Sequence, residues 1–314
     1  MYEFYDFIKK FDSTYKFNLK YSGRLNLFKL IGVIRWIRKS TTNIDIVHVQ
    51  YGSLIGFLTV IFSKAKYNMV SLRGSDFYTL PFEDTKLYDY LHSLLSFAFT
   101  KITSFLCRNY IFMSKRMLEE ANFSKNVNSI VLPDPLSSHF IKSKEKYLES
   151  KVHVKKIFTI GFIAQEKNAS VKNIKFANKI VSEVGLKHNI NFLTIENLTP
   201  SEVPKILAGL DLLLLTSRHE GYPNVIKEAL FLGVPFASTD VSDLRLAANF
   251  ISGSFVCSGS SSVFADKILS NIRLGLYGKP INNDKAYKNY ISQFYPYHSA
   301  KKLISFYDKI LKND

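Results

Sequence analysis

Asp211–Asp243 reads DLLLLTSRHEGYPNVIKEALFLGVPFASTDVSD, and this stretch decides the fold class. Its opening, Asp211 to Ser217, is a short unbroken apolar run of the kind that forms a parallel strand buried on both faces. A polar turn follows, from Arg218 to Pro223. Pro223 suits the first helical position, Asn224 to Leu232 carries the helical pattern, and Gly233 closes it. Val234 to Ser238 is the next strand, so the stretch is predicted to be a βαβ unit. In open parallel sheets, ligands sit beyond the carboxyl ends of strands, beside helix N-termini. Glu220 falls at such an end, and Glu228 follows on the helix.

The same alternation extends in both directions. Upstream, strands are expected at Ile44–Val49, Tyr67–Leu72, within Thr103–Met113 and at Ser129–Leu132. Helices are expected between them, at Ser53–Lys64, Leu87–Thr100 and Ser114–Ala121. Ile141–Lys156 is charged with little apolar periodicity and is read as a linker. A second series then runs from strand Ile157–Gly161 through helix Asn173–Val184 and strand Asn191–Ile195. Thr199 and Glu202 form a possible capping box for a helix to Leu207. Tyr287–Leu311 is helical with a break near Pro296. The pattern predicts an α/β protein of two Rossmann-like, doubly wound domains facing across a cleft. The expected divisions are 1–150, 151–290 and a final helical segment, 291–314.

The chain has 314 residues and 46% hydrophobic content, with mean hydropathy near zero, enough for two ordered cores. Cys107 and Cys257 are its only cysteines, which suggests neither a disulfide framework nor a cysteine metal site. The opening, MYEFYDFIKKFD, lacks the apolar run of a signal peptide, and Leu54–Phe62 is too short to span a bilayer. Forty-two basic against 26 acidic residues give a net charge of +16. Such a surface attracts nucleic acid, anionic lipid or phosphorylated substrates, although a lysine- and aromatic-rich genome gives the same composition. Arg24–Lys39 has an apolar face of Leu27, Leu30, Ile31, Ile34 and Ile37 with bases largely opposite. It fits an anionic membrane surface, but a helix packed on the sheet with a solvated basic face is the preferred reading.

The loop after Ser217 offers the Glu220 carboxylate and backbone N–H groups from Gly221, Tyr222, Asn224 and Val225 around Pro223. Gly221 permits close backbone approach, and the helix terminus beyond favours a phosphate. Two carboxylates, Glu220 and Glu228, can each hold vicinal hydroxyls through charge-assisted hydrogen bonds. Glu228 could equally be an ordinary helix carboxylate paired with a lysine.

The block EGYPNVIKEALFLGVPFASTDVSD resembles the signature of retaining glycosyltransferases of family four, with its EG, PNV, EA, G-x-P and Asp elements in register. Asp45-Ile-Val-His-Val49, Ile130–Asp134 with Phe140, Gly161 followed by Lys172-Asn173, and Tyr295–Leu311 resemble other family segments in the same order, the last being similar to the C-terminal helices that cross back to the first domain. The resemblance implies the GT-B fold and sugar transfer from a nucleotide sugar, a UDP- or GDP-sugar, with retained anomeric configuration. It implies that Glu220 contacts donor-sugar hydroxyls, Glu228 the ribose, and Lys172, or Lys167 in an alternative alignment, the diphosphate. Gly161 and Gly221–Val225 would line the donor site. Neither cofactor nor metal is expected, since cations and a helix terminus can stabilise the leaving diphosphate.

Three positions depart from the pattern. Phe162 stands where the family has a phosphate-loop arginine. Arg73-Gly74-Ser75-Asp76 stands where it has H-G-x-D, so Arg73 is either the replacement cation or a structural arginine. No glycine-rich loop follows a first strand. His48, His92, His139, His153 and His188 show no ligand spacing, and His219 is read as a solvent-facing loop residue. The leading expectation is a cytoplasmic, peripheral glycosyltransferase acting on a glycan or lipid-linked acceptor at the inner membrane face, in surface polysaccharide or glycoconjugate synthesis. A catalytically impaired GT-B binding partner is second. Nucleic-acid binding lacks any supporting motif, and the signature argues against a sugar-nucleotide epimerase.

Overall fold

A computed structural model of the chain describes residues 30–83, 85–123, 127–142, 157–163, 169–196, 199, 201–279 and 285–312. Most of the expected linker, Lys167, His153, the side chain of His139 and the start of the Arg24–Lys39 helix lie outside these residues. The chain forms two compact units. One comprises Met1–Asp134 with Pro296–Asp314, and the other Pro135–Tyr295. The first division thus falls earlier than residue 150. Within the second unit, the Leu136 N–H donates to Phe294 O at 2.8 Å and the Phe140 ring meets Phe231 at 5.9 Å, which holds the segment after Pro135 there.

In the first unit four parallel strands lie in sequence order: β1 (Ile46–Gln50), β2 (Tyr67–Leu72), β3 (Asn109–Phe112) and β4 (Asn128–Val131). Helices Ser53–Phe62, Leu87–Leu106 and Lys115–Ala121 connect them. Leu87–Leu106 runs past the expected Thr100. Thr103 turns its hydroxyl onto Phe99 O at 2.7 Å, satisfying a β-branched residue inside a helix. The helix Pro296–Leu311 belongs to this unit and presents Tyr307 to His48 of β1. Pro296 occupies its first position, where a missing N–H costs nothing.

The second unit has five parallel strands ordered β6 (Ile190–Ile195), β5 (Phe158–Ile163), β7 (Leu212–Leu215), β8 (Phe236–Thr239) and β9 (Phe255–Cys257). The leucines of β7 alternate between two cores. Leu213 and Leu215 join Ile226, Leu230 and Phe231, whereas Leu212 and Leu214 join Ile160, Phe162 and Ile180. That is why the run carries no polar residue. Helix Asn224–Leu232 follows, closed by Gly233 at φ 66°. Pro223 sits one position earlier than expected, as the N-cap. Its ψ of 123° is extended, and its carbonyl accepts from the Ile226 N–H at 3.2 Å.

Gly161 lies inside β5, paired with Leu193 and Leu213. A Cβ there would overlap a methyl of buried Leu210. Gly161→Ala is therefore expected to destabilise the second unit by about 1–3 kcal/mol through overpacking, read as a lower urea midpoint at unchanged m-value.

Candidate functional site

The order β6-β5-β7 makes β5 the place where the second sheet reverses direction of growth, because its two neighbours follow it by successive connections to opposite sides. Ligands of open parallel sheets bind beyond the carboxyl ends of strands at such a point. The segments leaving β5 and β7 meet there. Thr216 donates its hydroxyl to Lys172 O at 2.7 Å and lies 3.1 Å from Asn173 O, while the Arg218 N–H donates to Val171 O at 2.9 Å. Asn173 adopts φ 54°, the left-handed region, before helix Ile174–Gly185 begins. Thr239 of β8 holds Ser217 O at 2.6 Å.

This scaffold brings two expected site residues into contact. Lys172 Nζ lies 2.5 Å from Glu220 Oε1, which also accepts from Ser217 Oγ at 2.7 Å. Both donors meet one oxygen, so Oε2 keeps acceptor capacity. The side chains are only 19% and 16% exposed, and this screens the pair less than a surface ion pair.

Gly221 is buried, and Ser242, itself at φ 53°, donates to its carbonyl at 2.7 Å. Tyr222 turns into the core, with its hydroxyl 2.6 Å from Tyr290 Oη and its ring 5.3 Å from Phe294. Asn224 is exposed and Val225 packs on the core. The Pro223 cap makes no side-chain hydrogen bond, so the N–H groups of Asn224 and Val225 open the helix without a side-chain cap. Glu228 is one turn further on. Burial pushes its carboxyl up to about 6, and neighbouring Lys227 opposes that shift.

Lys227 carries no signal of its own in the sequence. It is 1% exposed, with its ammonium 5.9 Å from the Tyr222 ring centroid and 5.8 Å from that of Phe294. Cation–π attraction offsets part of the desolvation. His219 is half-buried rather than solvent-facing, which corrects the expectation for it. Phe162 is 1% exposed in the apolar core on one face of the sheet.

In the first unit, Arg73 follows β2. Its guanidinium forms an ion pair with Asp134, hydrogen-bonds Gln50 Oε1 (from Nε at 3.1 Å), and touches Met113 Sδ at 3.6 Å. Gln50 Nε2 lies 3.0 Å from His48 Nε2, and the imidazole also bonds Tyr307 Oη at 2.8 Å and Ser71 Oγ at 2.6 Å. Burial and then Arg73 lower the His48 pKa to about 3, so it is neutral at physiological pH. Asp76 accepts N–H bonds from Arg73 at 2.8 Å, Gly74 at 3.0 Å and Gly52 at 2.6 Å, tying the loops after β1 and β2 together. Burial pushes the Asp76 carboxyl upward and these N–H groups oppose it. Among the described residues, no cluster of His, Cys, Asp and Glu could hold a metal ion. No described helix is long and apolar enough to cross a membrane.

Residues 148–273 match the family model described as Glycosyl transferases group 1. The matched residues fall within the second unit. Lys172, Glu220 and Glu228 lie within those matched residues, whereas Arg73 and its partners do not. A glycosyltransferase from Rickettsia africae superposes with TM-score 0.62 at 14% identity, over 96% of this chain and 85% of that one. The pneumococcal O-GlcNAc transferase GtfA, in complex with UDP and GlcNAc, gives 0.58 at 14% identity. This chain is 90% covered there, but it spans only 60% of that protein's length. Anabaena HepE, in complex with UDP and glucose, gives 0.58 at 12% identity, over 91% and 84% of the two chains. Two parallel α/β units in one chain, together with these neighbours, constitute the GT-B class of fold. No curated protein matches the sequence.

Proposed function

We propose that the protein is a retaining, metal-independent glycosyltransferase. It moves a sugar from a nucleotide sugar, a UDP- or GDP-sugar, to a glycan or lipid-linked acceptor in surface polysaccharide or glycoconjugate synthesis at the cytoplasmic membrane face. The observation that carries this reading is the Lys172–Glu220 pair at the reversal point of the second sheet, with Glu228 on the helix that follows. In this reading Glu220 accepts hydroxyls of the donor sugar and Glu228 accepts those of the ribose. As the bond from the anomeric carbon to the diphosphate breaks, charge grows on the leaving oxygens, and the Lys172 ammonium with the uncapped N–H groups of Asn224 and Val225 stabilises it. The pneumococcal and Anabaena neighbours each hold UDP, which favours a uridine donor.

A second reading, a nucleotide-binding GT-B protein without turnover, is favoured by one observation in each unit. The Phe162 position provides no cation, and Arg73 is engaged by Asp134 and Gln50. The full chain, assayed with UDP-, GDP-, ADP- and CMP-sugars in EDTA, is expected to hydrolyse or transfer one of them. Nucleotide binding by calorimetry without turnover favours the second reading, and neither binding nor turnover overturns both.

A further inference from the structure

The helix Leu87–Leu106 of the first unit buries polar residues most deeply and leaves a large apolar surface outside. Its buried face is Ser93, Thr100 and Thr103, and each is held by hydrogen bonds. The Leu80 N–H donates to Ser93 Oγ at 3.1 Å. Thr100 Oγ1 accepts from the Ser53 N–H at 2.9 Å and donates to Asp76 O at 2.8 Å. The Tyr110 hydroxyl donates to Thr103 O at 2.9 Å. Thr100 also lies so close to Gly52 that a Cβ there would overlap its hydroxyl. The helix cannot roll without breaking these bonds, so one apolar side of it is held outward while Phe99 packs inward on Phe57.

That outward side is a continuous stripe of Tyr88, Leu91, Leu95, Ala98, Ile102 and Phe105, with steps of three and four residues throughout. Tyr88 is 77% exposed, Leu95 59% and Phe105 87%. The spacing is that of the a and d positions of a packed helix pair, with the smallest side chain, Ala98, near the middle. A patch of this kind on a chain with no membrane-spanning helix among its described residues marks an interaction surface.

Charge selects the occupant. Asp89 lies exposed in the first turn of the helix, with Glu83 and Lys86 ahead of it, whereas Arg108 follows the last turn. The helix's one lysine, Lys101, is turned inward, 3.2 Å from Ala121 O and over the Phe77 and Phe97 rings. An anionic lipid surface would gain no base from the body of the stripe and would be repelled by Asp89. A second copy of the same helix, antiparallel, would meet it with the opposite sign, placing Asp89 near the partner copy's basic end and Ala98 against Ala98. We propose that this stripe is the isologous interface of a homodimer, formed by antiparallel packing of Leu87–Leu106 from two copies. The surface lies wholly in the first unit and is independent of the sugar-transfer reading.

The experiment is sedimentation velocity of the full chain over a micromolar concentration series. A monomer–dimer equilibrium is expected. Leu95→Glu is expected to weaken it by about tenfold or more, since it places a charge in the centre of the interface, with the circular dichroism spectrum unchanged and Tm matching the wild type at dilutions where both are monomeric. Asp89→Arg and Arg108→Asp are each expected to weaken dimerisation, and the double charge swap to restore it. A monomeric wild type overturns the proposal. So does a dimer indifferent to Leu95→Glu. Binding to phosphatidylglycerol vesicles by a monomer, lost in Leu95→Glu, would assign the stripe to a membrane instead.

Discussion

Lys172→Ala is expected to lower kcat/KM for sugar transfer by about 10²–10³-fold, the range for removing one preorganised stabiliser of developing negative charge. The geometry gives this residue two neighbours to answer to. Lys172 Nζ holds Glu220 Oε1 at 2.5 Å, and the Lys172 carbonyl accepts from Thr216 at 2.7 Å. The backbone anchor survives truncation, so the loop keeps its place, while Glu220 keeps Ser217 as its side-chain donor among the described residues. A modest loss of stability should accompany the large loss of rate. Lys172→Arg should recover part of the rate, because charge returns without the compact ammonium geometry. Glu220→Gln should depress kcat, because the amide presents a neutral acceptor to the sugar hydroxyls. Because Lys172 and Glu220 touch, the double variant should lose less than the product of the two single losses. If the pair serves only to staple two loops, Lys172→Ala will lower Tm and leave kcat/KM of the folded enzyme unchanged. Single-turnover kinetics beside a thermal melt separates these outcomes.

Why the positions of this pair are legible in the sequence, and others are not, follows from the range of the interactions involved. Pro223 and Gly233 bound their helix locally, and the four leucines of β7 announce burial on both faces. The strand end that carries Glu220 and the helix that carries Glu228 can therefore be placed from local signals alone. The neighbours of Arg73 are a different case. Asp134, Gln50 and His48 come from the ends of other strands, and nothing in a one-dimensional pattern states which strand ends adjoin. The i, i+2 spacing of His48 and Gln50 on one face of β1 is the sole local signal. Lys227 is hidden for a related reason. Beside Glu228 it reads as part of a polar helix face, and only the rings of Tyr222 and Phe294 make it a core residue. The helix Leu87–Leu106 misleads most directly, because its β-branched Thr103 looks like the start of a strand until its hydroxyl is seen bonded within the helix.

Glu228→Gln is expected to make the protein more stable and worse at binding its nucleotide. Burial raises the carboxyl from the ordinary 4.5 to about 6, and Lys227 pulls the other way. The folded state therefore binds this proton more tightly than the unfolded chain does. Stability accordingly falls as pH rises from about 4.5 to about 6 and stays reduced above that. At pH 7 holding the charged form costs the fold up to about 2 kcal/mol, since a tenfold change in acid strength corresponds to about 1.4 kcal/mol. Glutamine removes the cost, so Tm should rise at pH 7, and the gain should largely vanish at pH 4.5, where the wild-type carboxyl is neutral in the fold. The same charge is what a pair of ribose hydroxyls would use. Hydrogen bonds to a charged acceptor contribute about 1.5–3 kcal/mol, so the variant should bind the nucleotide about 10- to 100-fold more weakly at pH 7. Wild-type affinity should itself decline as pH falls through about 6, and this component of the pH profile should be flat in the variant. Calorimetric titrations at several pH values, paired with melts in the same buffers, test both halves. A variant that is stabilised but binds nucleotide as the wild type does would leave Glu228 a strained helix residue and remove it from the site. A carboxylate kept half-buried at a cost to the fold, when glutamine would pack in the same space, is what a group retained for its ligand looks like.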